Sequence, residues 1–314
     1  MSDKEKTKLE AYADGQTMPK RQSPRRKKSS AQGSAQSKAK TKKAPKKQQP
    51  EAPKIIYDEF APVEEQHNII FKPNVGPQTD FLAASEREVL YGGSAGGGKS
   101  YAMLADPLRF MGHPAFSGLL LRHTTEELRE LIFKSQEMYP KIWPGIKWSE
   151  RKMQWTAPSG ARLWMSYLDK EDDVLRYQGL AFSWIGFDEL TQWPSPFAWN
   201  YMRSRLRSTA KDLPVYMRAT TNPGGRGHHW VKKMFIDPAA YGVSFDATDI
   251  ETSEVLRYPA GHEKAGKALF KRKFIPARLR DNPYLAEQGD YEAMLLSLPE
   301  QQRRQLLDGD WDIK

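Results

Sequence analysis

The chain is predicted to fold as an α/β domain, with a mainly parallel sheet covered by helices on both faces. Three observations carry this expectation. Short apolar runs at residues 88–91, 118–122, 182–188 and 215–220 alternate with segments of helical character at 99–111, 124–139 and 197–206. Strands separated by helices pair in parallel, because each crossover helix returns the chain to its starting edge. The runs are rich in Leu, Ile, Phe and Trp with few charges, as expected of strands buried on both faces, and the first passes into a glycine-rich turn that opens a helix.

The elements follow in order. A proline-punctuated lead over residues 57–77 ends where Gln78 heads a short helix, and the strand at 88–91 comes next. Thr124 and Glu127 form a capping box that opens the helix to Tyr139. Residues 153–156 and 162–167 alternate around Pro158-Ser-Gly160, the signature of a β-hairpin. Beyond residue 240, segments 243–246 and 270–275 read as further strands and 284–307 as two helices, with Pro299 at a helix start and Gly309 at its end.

Charge divides the chain. Residues 1–54 hold 16 Lys/Arg against 5 Asp/Glu, whereas the remaining residues hold 33 against 34. Runs such as Arg25-Arg-Lys-Lys28 and Lys42-Lys-Ala-Pro-Lys-Lys47 bury too little apolar surface to offset chain entropy, so 1–54 is expected to be a disordered basic tail that binds polyanions. Residues 55–314 are expected to form the folded domain, with about 240–314 as a lid or linker within it. The sequence has no cysteine, which excludes disulfides and thiolate metal sites. Its six histidines include no helical His-x-x-x-His pair, and His228-His229 read as part of a polar loop. No run approaches 18 apolar residues and no apolar signal core leads the chain, so no membrane association is expected.

The chemistry begins at Gly93-Ser94-Ala95-Gly96-Gly97-Gly98-Lys99-Ser100, the spacing of a phosphate-binding P-loop. Glycines let the backbone turn with its N–H groups inward, Lys99 reaches the β and γ phosphates, and Ser100 offers a hydroxyl to Mg²⁺. A nucleoside triphosphate and Mg²⁺ are therefore the expected ligands, and the family resemblance described next makes the nucleotide ATP. A second signal is Ile185-Gly-Phe-Asp188-Glu189, an apolar strand ending in two carboxylates. Asp188 is placed to hold the Mg²⁺ shell through a water, and Glu189 to polarise the water that attacks the γ-phosphate. A third is Thr220-Thr221-Asn222-Pro223-Gly224-Gly225, which ends the next strand on the same sheet edge, with Thr221 and Asn222 placed to sense the γ-phosphate.

With these residues in view, the chain resembles the large terminase subunit of tailed bacteriophages. The matching motifs are the P-loop, the strand with Arg122-His-Thr-Thr-Glu-Glu-Leu, Gln178-Gly-Leu, Phe187-Asp-Glu-Leu-Thr-Gln, Arg205-Leu-Arg207, Thr220-Thr-Asn-Pro-Gly-Gly-Arg-Gly-His228 and the stretch from Asp281-Asn-Pro-Tyr-Leu to Asp308-Gly-Asp-Trp311. The resemblance implies an additional-strand P-loop ATPase that acts as a ring on the capsid portal and pumps double-stranded DNA into a procapsid. It further implies a small terminase subunit as partner and the host cytoplasm as location. Gln78 would lie near the adenine, and Asn222 would couple hydrolysis to DNA movement. An arginine completes such sites, and Arg122, Arg176, Arg205 and Arg207 are the candidates. Many relatives carry an arginine immediately before the glycine that is Gly179 here, where this chain has Gln178.

Family members usually continue into an RNase H-like nuclease, whereas this sequence stops at Lys314, so nuclease chemistry is not expected of it. Asp308, Asp310 and Asp312 fit a solvated helix end. Two other readings of the P-loop stand beside the packaging motor. One is another DNA-stimulated ATPase, a helicase or remodeller, which would separate strands. The other is a nucleotide-gated DNA-binding assembly module, whose turnover would not depend on Glu189.

Overall fold

A computed structural model describes residues 70–287 and 289–313. The expected tail at 1–54 lies outside the described residues. In chain order the regular elements are α1 (Pro77–Ala83), β1 (Glu88–Gly93), α2 (Lys99–Ala105), β2 (Ser117–Arg122), α3 (Thr125–Ile142), β3 (Lys147–Ser149), β4 (Gln154–Thr156), β5 (Arg162–Tyr167), β6 (Trp184–Asp188), α4 (Phe197–Arg203), β7 (Tyr216–Thr221), α5 (His228–Val231), β8 (Ser244–Asp246) and β9 (Lys271–Ala277). Short helices α6 (Pro283–Ala286), α7 (Asp290–Leu296) and α8 (Glu300–Arg303) follow.

Among the described residues the strands form one sheet in the order β3-β4-β5-β2-β6-β7-β1-β9-β8. The six inner strands from β5 to β9 are parallel, and antiparallel strands close both edges: β4 and β3 beyond β5, and β8 beyond β9. The expected hairpin is β4 with β5, pairing Gln154 with Trp164 and Thr156 with Arg162. Strand β7 lies between β1 and β6, which is the additional strand of the expected architecture.

Strand alternation distributes the core. Leu119, Leu121, Ile185 and Phe187 pack on one face with Trp199 of α4 and Phe235, while Leu120, Met165 and Trp184 pack on the other with Leu128, Leu131 and Tyr139 of α3. A smaller cluster joins Phe81 of α1 to Val89, Tyr91 and Ile275. The capping box is formed: Glu127 N–H donates to Thr124 Oγ1 at 3.3 Å, and Thr124 N–H donates to the Glu127 carboxylate at 3.4 Å.

Two helical segments differ from expectation. The segment expected to be helical over 99–111 is α-helical only to Ala105 and continues as a 3-10 turn, Asp106–Phe110. Pro107 explains the change, since its ring clashes with the carbonyl four residues back and it has no N–H to donate. The two helices expected at 284–307 are three short ones, the last running into a π turn, Arg304–Asp308, that Gly309 ends in the left-handed region (φ 63°).

At the amino end of β1, fully buried Glu88 pairs with Arg203 and, at 2.7 Å, with Arg272 Nε. Burial raises its pKa, but the two guanidinium groups more than offset this and hold the carboxyl below its ordinary value. Glu88→Gln should therefore cost about 3 kcal/mol, because buried Arg272 and partly exposed Arg203 lose their counter-charge. The stabilisation is complete above the unfolded carboxylate pKa of about 4.3 and is lost as pH falls through the lower folded value. Denaturant melts should show the gap between wild type and variant shrinking below about pH 4; a gap that stays constant with pH would rule the linkage out.

Candidate nucleotide site

The parallel register aligns the carboxyl ends of the inner strands. Arg122 of β2 stands opposite Tyr167 of β5, Asp188 of β6 opposite Thr220 of β7, Gly92 of β1 opposite Thr221, and Gly93 opposite Ala277 of β9. Residues far apart in sequence thus share one edge. At Gly93 any side chain would be blocked, since a Cβ there would lie 2.2 Å from the Ala277 carbonyl oxygen.

The glycine-rich turn runs from β1 to α2 as its spacing predicts. Ser94 N–H donates to Ala277 O at 2.8 Å and Ala95 N–H to Leu306 O at 2.6 Å, so the start of the loop is tied to the C-terminal segment. Lys99 is buried and donates to Ser94 O at 2.6 Å. Burial pushes its pKa down, while Glu189 and then Asp188 pull it back up. Ser100 is partly exposed in the first turn of α2. Gln78 lies against Gly98, and both face a cavity of about 460 Å³ shared with Phe71, Tyr101, Asn282 and Tyr284.

The two acids occupy distinct surroundings. Asp188 is buried, accepts a hydrogen bond from Thr220 Oγ1, and has Arg122 Nε 3.1 Å from its other oxygen. Glu189 adopts φ 61°, unusual for a residue with a side chain, and this turns it out of the strand. Its backbone N–H donates to Thr220 Oγ1, and its carboxylate accepts from Asn222 N–H, both at 3.4 Å. Desolvation and then the Asp188 charge raise the Glu189 pKa, against the opposing pull of Lys99 and Arg122. A carboxyl raised in this way is a better proton acceptor than an ordinary one.

Behind Glu189, the Leu190–Gln192 turn is fastened to the end of β7. Thr191 and Thr221 hydroxyl oxygens are 2.7 Å apart, and Thr191 Oγ1 also donates to Asn222 O at 3.1 Å. The arginine candidates separate by edge. Arg122 is within the site, and Arg176 lies on the same edge, donating to Tyr167 O and, at 3.1 Å, to Asp173 O. Arg205 and Arg207 lie at the amino end of β6, where Phe182 N–H donates to Arg205 O and Arg207 donates to Gly179 O. They do not reach this chain's own P-loop edge.

Several contributors were invisible as site residues in the sequence. Tyr91 reads as strand core, yet its hydroxyl donates to Gly97 O. Asn282 lies far along the chain, yet donates to Gly96 O. His228, expected in a polar loop, is buried at the start of α5, accepts from Gly224 N–H at 2.9 Å and stacks on Trp311. Tyr91 and His228 stand beside glycine-rich segments of the sequence, and Asn282 and His228 fall within motifs that carry the family resemblance, but none of these signals told what each side chain holds. Asp310 pairs with Arg304 and Asp312 with Lys232.

Sheet order and glycine-rich turn together define a P-loop fold of the additional-strand type. Residues 90–313 match the family described as the terminase large subunit, T4likevirus-type, N-terminal, and the chain belongs to that family. Among solved structures, the ADP complex of the large terminase from a thermophilic bacteriophage is 17% identical, with a TM-score of 0.53 over 76% of this chain and 54% of that one. The large terminase ATPase domain of a Thermus phage is 13% identical, with a TM-score of 0.49 over 77% of this chain and 94% of that one. The chain therefore spans about half the length of the terminase solved with ADP. Comparison with curated proteins gave no match.

The Thr220 hydroxyl faces both acids, so Thr220→Val should destabilise the fold by about 1–3 kcal/mol by leaving the buried Asp188 oxygen without its donor. Thr220→Ser should be close to neutral. Equal denaturant midpoints for the valine variant and wild type would show that the hydroxyl does not hold the acids.

Proposed function

We propose that this chain is the ATP-hydrolysing motor part of a large terminase and that it drives double-stranded DNA into a procapsid. The observation that carries the reading is the convergence of Lys99, Asp188 and Glu189 on one sheet edge beside the cavity at Gln78 and Gly98. Loop amides and Lys99 bind the phosphates. Glu189 orients the attacking water and takes its proton as the oxygen bonds to the γ-phosphorus and the bond to the β-phosphate oxygen breaks, giving ADP and phosphate.

The donor set suits Mg²⁺. Ser100 and Asp188 offer hard oxygens, and among the described residues no three Asp, Glu, His or Cys side chains are grouped to hold a metal, so phosphate oxygens and water would fill the remaining positions. Bound there, Mg²⁺ would neutralise phosphate charge. Arg122 pairs with the Asp188 carboxylate and orients it. Arg176, on the same edge, and Arg205 and Arg207, on the opposite one, are available to a neighbouring copy in a ring. Portal, small terminase and DNA are the partners this reading supplies.

Asn222 connects chemistry to movement. Its N–H touches the Glu189 carboxylate and its carbonyl accepts from Thr191, so a change at the γ-phosphate reaches the Pro223–Gly227 loop through a few short contacts.

Lys99→Ala should weaken ATP binding and hydrolysis together, whereas Glu189→Gln should keep binding and lose at least ~100-fold in rate. Nucleotide titration with phosphate-release assays checks both, and equal loss of binding in the two variants would contradict these roles. Removing residues 1–54 should lower duplex affinity and flatten its dependence on salt while leaving basal hydrolysis intact. Binding isotherms across a salt series decide it; an unchanged slope would detach the tail from DNA.

A further inference from the structure

Three side chains from outside the P-loop hold three consecutive loop carbonyls. Asn282 Nδ2 donates to Gly96 O at 2.7 Å, Tyr91 Oη to Gly97 O at 2.7 Å and Gln78 Nε2 to Gly98 O at 2.9 Å. They come from three separate places: the turn before α6, strand β1 and helix α1. In a planar trans peptide the carbonyl and the following N–H point in opposite directions. Anchoring these carbonyls on the outside therefore turns the N–H groups of Gly97, Gly98 and Lys99 toward the inside of the loop.

Backbone conformation agrees with this. Gly96 and Gly98 both have φ 76°, while Gly97 between them stays at negative φ. Alternation of hand along a short segment makes successive amides converge on one point, the geometry of an anion nest. Two of the anchors, Tyr91 and Gln78, are themselves fixed. Tyr91 is fully buried, and burial raises its hydroxyl pKa so that it remains a donor. Gln78 Oε1 accepts from Asn74 N–H at 2.6 Å, which assigns the other end of the amide to Gly98. Both polar ends of Gln78 are thereby engaged with backbone.

We propose that Tyr91, Gln78 and Asn282 are positioning residues that orient the loop amides for a polyphosphate, with Gln78 acting on the phosphate cradle and not on the base. The inference rests on the nucleotide reading above and deepens it. It separates two roles for Gln78: a residue that reads a base affects ATP alone, whereas one that sets the cradle affects any polyphosphate.

Calorimetric titration of the full chain with ATP and with inorganic tripolyphosphate tests it, using Tyr91→Phe, Gln78→Met and Asn282→Leu. Tyr139→Phe is the control, because its buried hydroxyl also donates to a backbone carbonyl, Leu104 O at 2.8 Å, outside the P-loop. Each of the three variants should bind both ligands about 5- to 10-fold more weakly, the loss of roughly one hydrogen bond, while Tyr139→Phe binds as wild type. A Gln78→Met variant that loses ATP affinity but keeps tripolyphosphate affinity would overturn the assignment in favour of base recognition. Variants no weaker than Tyr139→Phe would overturn it as mere packing. A wild-type chain that binds neither ligand would instead overturn the nucleotide reading itself.

Discussion

The carboxyl edge of this sheet depends on one buried charge. Asp188 is 1% exposed, and a carboxylate so far from water is tolerated only when its oxygens are paired. Arg122 and Thr220 do this, and they come from the strands on either side of β6. A slip of β2 or β7 by one residue would turn the partner to the opposite face and leave the charge unpaired. The same pairing sets the position of Glu189, because the Thr220 hydroxyl that donates to Asp188 accepts from the Glu189 N–H. Register, charge burial and placement of the proposed base are one constraint.

The amino edge has its own buried charges. Glu88 is clasped by Arg203 from α4 and Arg272 from β9, while Asp106, at the end of α2, accepts from Trp184 Nε1 at 2.8 Å and lies 3.8 Å from Arg218. The Glu88 cluster ties β1 to β9 and a covering helix, and the Asp106 cluster ties α2 to β6 and β7. Strand β1 is thus fixed at its start by ion pairs and at its end by Ser94 N–H on Ala277 O. The glycine-rich loop has a rigid base from which its amides can be aimed.

Much of this was legible in the sequence because it is local. The capping box at Thr124, the hairpin around Pro158-Ser-Gly160, the P-loop and the acidic end of β6 are each written within a few consecutive residues, and local chemistry decides them. What was not legible depends on contacts across long stretches of chain. Asn282 meets Gly96, and Leu306 meets Ala95, only because β9 pairs beside β1. The shortening of α2 was missed although its cause is local, since the expected helix ran through Pro107. The burial of His228 was not legible, because its cover is Trp311, far along the chain.

That cover gives the C-terminal segment a part in both halves of the site. On one side Leu306 O accepts from Ala95 and Asn282 donates to Gly96, so the segment grips the phosphate loop. On the other, Trp311 stacks on His228 at 5.3 Å, and His228 accepts from Gly224 in the loop that follows Asn222. Burial and the neighbouring His229 lower the His228 pKa, which favours the neutral ring that can accept that bond. The glycine-rich loop and the loop that touches Glu189 are therefore fastened to the same stretch of chain.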